Sequence, residues 1–377
     1  MKVTVLQSEL SDALRRLDLL NKGAASVSSI NYCRMEAKEN SVFLYGFDLE
    51  KRAWIRINAD IDEEGELFTH TRRTFGVVRA ITENMVQIES HGEKGVRVTS
   101  GKSNYNLYGI SKEDAHDNFY FDAPDKGEIS ISAGTFSKLL TLGGYAYGDE
   151  KTRKELSTVC ISCQDGVLTA ITGEGGARAV IATIPVNSEE SFTKTLHHSY
   201  IDMASRTLDG VQGNVSLSVT NSEIWCKCTD LAFSSRFMEF AYPIDAIKAL
   251  VASNPQDITF YVGKEVLSGI CNRLRAIAEQ KSPKIDLAVS ETLVDVTSAS
   301  GDGEALESFD VSGAGNGRLR IRLEHLEDAF GACPSGVIGV SFIDSTHGLR
   351  LFVPEEEASS ISYVAFLGTY KISPTKT

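Results

Sequence analysis

One layout occurs three times along the chain, and it limits the possible folds more than any other feature. A short alternating apolar and polar run ends in a small or polar residue and opens straight into a helix-periodic segment. The copies are 3–7 into 8–20, 129–133 into 134–147, and 258–262 into 263–281. Their helix-opening residues Ser8, Gly134 and Gly263 lie 126 and 129 positions apart in a chain of 377 residues, so the period is about a third of the length. A second helical pattern follows within each third, at 71–83, 198–208 and 324–332. Between the helices the alternation of 41–45, 54–57, 96–98 and 216–219 is that of antiparallel strands, separated by turns such as Lys38-Glu39-Asn40 and Gln164-Asp165-Gly166. The acidic stretch 111–126 and the segment 252–257 with Pro255 read as linkers. The expectation is an α+β chain of three similar domains, 1–124, 125–252 and 253–377, each with two helices packed on antiparallel sheets.

Composition removes several classes. With 42 % hydrophobic residues each third can bury a core, and no apolar stretch approaches the ~20 residues of a membrane helix. The first residues run into strand and helix without the pattern of a secretion signal, so a cytoplasmic protein is expected. Seven cysteines, an odd number spread over the chain, argue for reduced core thiols rather than a disulfide framework. Cys160 and Cys163 have a zinc or redox spacing, yet on a strand they face opposite ways. Cys226 and Cys228 have no second ligand pair, and His197-His198 reads as part of a polar face. No metal and no cofactor is expected.

Catalytic motifs fail on spacing. Ser100-Gly101-Lys102-Ser103 resembles the end of a phosphate-binding loop, but Gly95 lies one residue too far upstream and 96–98 alternates as a strand. Residues 313–317 put Arg318 where a dinucleotide fingerprint requires another glycine. There is no nucleophile elbow and no His-Glu-x-x-His, so an enzyme is not expected.

Several short strings, in order and at the right spacing, resemble the bacterial DNA polymerase III beta sliding clamp family. Gly46-Phe47-Asp48-Leu49-Glu50 is similar to that family's Gly-Thr-Asp-Leu-Glu, and Arg72-Arg73-Thr74-Phe75 to its Ala-Arg-Lys-Phe. Ser100-Gly101-Lys102-Ser103-Asn104-Tyr105 is similar to its Ser-Gly-Arg-Ser-Arg-Phe. Residues 172–180, Tyr242-Pro243 and Ser362-Tyr363-Val364 stand where the family has its Thr-Asp-Gly-His-Arg-Leu-Ala-Val, Phe-Pro and C-terminal segments. The resemblance implies a DNA-clamp fold and a head-to-tail homodimeric ring whose helices line a hole threaded by double-stranded DNA, without sequence specificity. It also implies a non-catalytic processivity factor that tethers the DNA polymerase III catalytic subunit and the clamp loader through short peptide motifs.

DNA contacts are expected at Lys22, Arg72, Arg73, Lys151, Arg153, Lys154, Arg273 and Arg275. The partner-peptide pocket would use Leu156, Thr172, Gly176, Arg178, Pro243, Val364, Phe366 and Leu367. The dimer interface would use Lys102, Tyr105 and Leu107 on one edge and Glu304 and Glu307 on the other. This chain departs from the family at Ala24, in place of an arginine, and at Lys154-Glu155, in place of two tyrosines, which moves the expected DNA contacts onto the basic segment 151–154. Ala177 and Ala179 replace larger residues and would widen the pocket. The six helical segments sum to +1 while the whole chain carries -13, so the remainder carries -14. That distribution suits a ring that holds DNA topologically and slides. The competing reading is a clamp-like scaffold or decoy that binds protein partners without encircling DNA.

Overall fold

The computed structural model describes residues 1–20, 28–125, 127–151, 153–252, 258–312, 314–357 and 360–371. They form two compact units, one of residues 1–134 with 202–237 and the other of residues 135–201 with 238–377.

The first unit contains β1 (Lys2–Leu6), α1 (Gln7–Asp18), β2 (Tyr32–Lys38), β3 (Ser41–Phe47), β4 (Lys51–Asn58), β5 (Asp60–Glu63), β6 (Gly65–His70), α2 (Thr71–Val78), β7 (Met85–His91), β8 (Gly95–Ser100), β9 (Ser103–Tyr108) and β10 (Ile129–Ser132). The chain leaves it in α3 (Ala133–Gly144) and builds β11 (Thr158–Gln164), β12 (Val167–Glu174), β13 (Arg178–Pro185) and β14 (Phe192–His197) of the second unit. Through α4 (Ser199–Thr207) it returns for β15 (Asn214–Val219), β16 (Glu223–Cys228) and β17 (Leu231–Arg236). The rest of the second unit is α5 (Ile244–Ala252), β18 (Ile258–Gly263), α6 (Lys264–Arg275), β19 (Lys284–Val289), β20 (Leu293–Ser300), β21 (Gly303–Asp310), β22 (Gly317–Arg322), α7 (Leu323–Ala332), β23 (Val337–Phe342), β24 (Leu349–Phe352) and β25 (Ser362–Leu367).

All strand pairs are antiparallel. The first unit holds an eight-stranded sheet in the order β10-β15-β16-β17-β4-β3-β2-β6, and the second holds β18-β23-β24-β25-β13-β12-β11-β14. Matched strand for strand, the two orders are the same. Each sheet is two four-strand halves joined at one seam: β17 pairs β4 through Leu231–Ile55 to Ser235–Lys51, and β25 pairs β13 through Leu367–Arg178 to Ser362–Thr183. The two remaining sheets, β5-β1-β7-β8-β9 in the first unit and β21-β20-β19-β22 in the second, are the corresponding halves without a seam. They end in the open edges β9 and β21.

All six helices expected from the periodicity are present, with bounds shifted by a few residues. Strand feeds helix directly, because the N-cap residues Leu6, His70, Gly263 and Arg322 keep extended backbone while the next residue turns helical. Apolar spacing decides which face goes inward. Leu10, Ala13, Leu14 and Leu17 of α1 are buried, and Leu267, Ile270, Cys271 and Leu274 of α6 repeat the same i, i+3, i+4, i+7 stripe. Each fully buried leucine contributes about 1.5–3 kcal/mol.

Two segments differ from the sequence reading. α5 was not expected, although Ile244, Ile247, Leu250 and Val251 carry a helical stripe: it is only nine residues long and lies between Pro243 and Pro255 in a stretch read as connection. The segment read as a polar acidic linker does connect, but it is also packed. Phe119 within it is fully buried against Ile30, Phe47 and Phe68, and Phe121 meets Tyr45 edge-on at 5.7 Å. All seven cysteines are free thiols, six of them buried, and Cys160 and Cys163 stand on opposite faces of β11. Burial pushes the Cys160 thiol up to about 12, so it is a core group and not a nucleophile.

Candidate functional site

In the second unit α5 lies across one face of β12 and β13. Ile247 packs on Gly173, where a side chain would crowd its Cδ1 at 3.1 Å. Cys160, Ile171, Ala179, Ile247, Val251 and Phe366 form one buried cluster, with Ile181, Tyr242, Ile244, Leu250 and Val364 half-buried against it. Beyond the end of this cluster the β12–β13 hairpin turns through Gly175 and Gly176, both at positive φ (49° and 87°), a region that favours glycine.

Between that turn and α5 is a recess of about 310 Å³, lined by Arg153, Leu156, residues 173–176, Arg178, Ala179, Pro243, Ala246, Ile247 and Leu250. The structure thus brings together four of the pocket residues expected from sequence: Leu156, Gly176, Arg178 and Pro243. Arg178 is held at the rim. Its Nε donates to Glu174 (2.9 Å), Nη1 to Asp328 of α7 (2.6 Å) and Nη2 to the Tyr147 carbonyl (3.4 Å). With its charge matched by two carboxylates, the recess offers apolar walls and backbone groups, the inventory that seats one or two apolar side chains of a peptide.

The other four expected pocket residues stand elsewhere. Thr172 is fully buried, its hydroxyl donating to the Gly143 carbonyl (2.9 Å) and accepting from the Ala146 N–H (3.1 Å). Phe366 and Leu367 are core residues of β25, and Val364 packs against the cluster rather than lining the recess. Thr172 and Leu367 are in the opposite strand phase, whereas Val364 and Phe366 share the α5 side but lie within the packed cluster, a difference of depth that a matched string does not reveal. Sequence reasoning missed Ala246, Ile247 and Leu250, which the helical stripe of α5 could have supplied. A recess of about 730 Å³ in the first unit is larger, but it is polar, and its Arg16 and Arg56 are paired with Asp12 and Asp230.

The edge residues expected at an interface are exposed or half-exposed. Lys102 sits in the β8–β9 turn, Tyr105 is 39 % exposed and Leu107 is half-buried. In both hairpins the residues flanking a two-residue turn, Ser100–Ser103 and Ser300–Gly303, close the ladder. Alternation then directs the backbone N–H and C=O of Asn104 and Asn106 on β9, and of Glu304, Leu306 and Ser308 on β21, away from their own sheets. Glu307, three residues from Glu304, lies on the opposite face. Both guanidinium donors of Arg273 reach it at 2.7 and 2.8 Å. Two residues assigned to different surfaces therefore neutralise each other: the hydrogen bond from Arg273 holds the Glu307 carboxyl below its ordinary range, and Glu307 in turn raises Arg273.

Among the residues expected to meet DNA, Arg72 and Arg73 are exposed on α2, opposite its buried Thr71, Thr74 and Val78. Lys151, Arg153 and Lys154 are exposed as well, and Arg153 also lines the apolar recess. Arg275 pairs with Glu327 of α7. Lys22 and Ala24 lie outside the described residues.

Comparison with known proteins agrees with this geometry. The family description "DNA polymerase III beta subunit, N-terminal domain" matches residues 1–118. A beta sliding clamp of Rickettsia bellii is 18 % identical over 372 residues, spanning 94 % of this chain and 96 % of that one. That of Chlamydia trachomatis is 21 % identical over 251 residues, 64 % of this chain, and the match spans 59 % of the relative's length. The crystal structure of the DNA polymerase sliding clamp from Bacillus subtilis superposes with a TM-score of 0.87 at 17 % identity, covering 99 % of this chain and 100 % of that one. With the repeated sheet order and the matching strings, these likenesses show that the chain has the fold of the bacterial DNA polymerase III beta sliding clamps and is similar to them in sequence, most specifically over residues 1–118.

Proposed function

We propose that the chain is a DNA sliding clamp, a non-catalytic processivity factor acting in the cytoplasm that encircles duplex DNA and tethers a replicative polymerase and its loader. The observation that carries this reading is the pair of unfinished half-sheets. Two seams of one kind are made within the chain, β4 with β17 and β13 with β25, while the edges β9 and β21 that would make a third are open. Antiparallel pairing of β9 on one copy with β21 on another completes a third arrangement of the same kind, with β5 as an extra edge strand, and it is heterologous, so two copies close a ring. Three similar domains per chain, with boundaries near 124 and 252, then give six around the ring. Duplex contacts fall to exposed cations such as Arg72, Arg73, Lys151 and Lys154, which position phosphates without reading bases. Polymerase and loader peptides enter the recess beside α5. The test is retention on nicked circular DNA: the protein should stay bound in high salt and be lost once the circle is linearised. Loss from both forms alike would refute the encircling reading and leave the scaffold.

A further inference from the structure

Opposite the face covered by α6 and α7, the β19–β22 part of the sheet β21-β20-β19-β22 concentrates positive charge. Ile285, Leu287 and Val289 of β19 and Leu319 and Ile321 of β22 are buried on the helix side, so the alternate residues Lys284, Asp286 and Ala288, and Arg318, Arg320 and Arg322, share the other face. Four cations stand there against two adjacent carboxylates, Asp286 and Glu324, in a chain of net charge -13. Glu279 acts on Arg320 from a distance, and Asp295 of β20 with Glu304 and Asp310 of β21 share this face toward its other edge.

The corresponding faces of the two eight-stranded sheets are covered by the chain itself. One takes Phe119 onto Ile30, Phe47 and Phe68, and the other takes Ile247 and Val251 of α5. On the charged face Tyr370 lies down. Its N–H donates to the Arg320 carbonyl (2.8 Å), and its ring centroid is 4.7 Å from Lys284 Nζ.

We propose that this face docks an extended acidic segment of a partner protein. Asp286 shows that the arginines seat a carboxylate: it accepts from Arg320 Nε (2.5 Å) and Nη2 (2.8 Å) and from Arg318 Nη2 (3.3 Å). Side chains two apart on a strand repeat at about 6.6–6.8 Å, the same interval at which an extended peptide presents alternate residues. Acidic residues at every second position therefore meet Arg318, Arg320 and Arg322 in turn, and the planar forks favour carboxylates in paired geometry. A nucleic-acid strand suits the face less well, because its one described aromatic ring, Tyr370, is engaged by Lys284 and leaves no platform for base stacking.

The test uses the full chain and a fluorescent ten-residue peptide of alternating Glu and Ser, with a Gln and Ser peptide and a ten-nucleotide oligo-dT as competitors. The acidic peptide should bind, lose affinity with added salt, and bind at least tenfold more weakly to Arg318→Ser/Arg322→Ser. Asp286→Asn removes the internal competitor and should tighten binding several-fold, a change of sign that misfolding would not produce. Pro243→Asp should leave the affinity unchanged, which separates this face from the recess beside α5. Equal binding to the parent and the double arginine variant, weaker binding to Asp286→Asn, or displacement by oligo-dT more readily than by unlabelled acidic peptide would each overturn the proposal.

Discussion

Asn106→Pro probes the ring seam selectively. The backbone N–H of Asn106 points to the open side of β9, so proline there removes a donor that the β8 ladder does not use and places a ring where the incoming strand would lie. Within its own unit the variant gives up one exposed contact, Arg97 Nε to Asn106 Oδ1 at 3.1 Å, worth little in water. At the seam the loss is larger. The intrachain seams contain five and six residue pairs, and a net hydrogen bond contributes about 0.5–1.5 kcal/mol. Losing one bond outright and displacing a neighbour costs about 2 kcal/mol per seam. A closed ring has two seams, so dissociation to monomers is eased by about 4 kcal/mol, close to a thousandfold in the dimer constant. Sedimentation equilibrium across nanomolar to micromolar protein measures this directly, with thermal unfolding of the dilute monomer as the control. If the variant dimerises as the parent does while melting at the same temperature, β9 is not the seam.

Further outcomes follow from individual contacts. Pro243→Asp puts a carboxylate on the wall of the recess and should abolish binding of an apolar clamp-binding peptide, read by fluorescence anisotropy, without altering the dimer. Glu307→Gln releases Arg273 and should strengthen salt-sensitive association with short duplex DNA, whereas Arg273→Ala should change it little, because that charge is already spent on Glu307. His325 is 5 % exposed with an unpartnered Nδ1, and burial lowers its folded pKa below the ordinary 6.5. The unfolded chain takes up a proton first as pH falls. Stability is therefore complete above about pH 6.5 and declines from there toward the folded value, and His325→Leu should flatten the melting temperature between pH 7 and 5.

How much of this was legible in the sequence depends on the range of the signal. Helix openings at Ser8, Gly134 and Gly263 stand out because strand-to-helix transitions are local and recur at one period. α5 escaped because nine residues between two prolines give a weak periodic signal. The anchoring role of Phe119 escaped because its partners Ile30, Phe47 and Phe68 lie 51–89 residues away, and nothing near 119 announces them. The pairing of Arg273 with Glu307, 34 residues apart, needed strand phase as well as identity: a three-residue step on β21 separates Glu304 from Glu307 by a whole sheet face. Family strings located the β12–β13 hairpin and Pro243, yet could not say that Thr172 and Leu367 point to the opposite sheet face or that Phe366 is buried in the cluster beneath α5.

The burial of Phe119 sets a limit on traffic. The chain's own aromatic segment already lies over the corresponding sheet face of the first unit, and the β19–β22 face is charged, so among the described residues the proposed clamp offers the recess beside α5 as its apolar berth, one per subunit and two per proposed ring. On the proposed reading, proteins using that berth on the same DNA queue, and at most two hold on at once. A partner that occupies both berths excludes every other until it lets go, so the order of events along the template is set by competition for two seats.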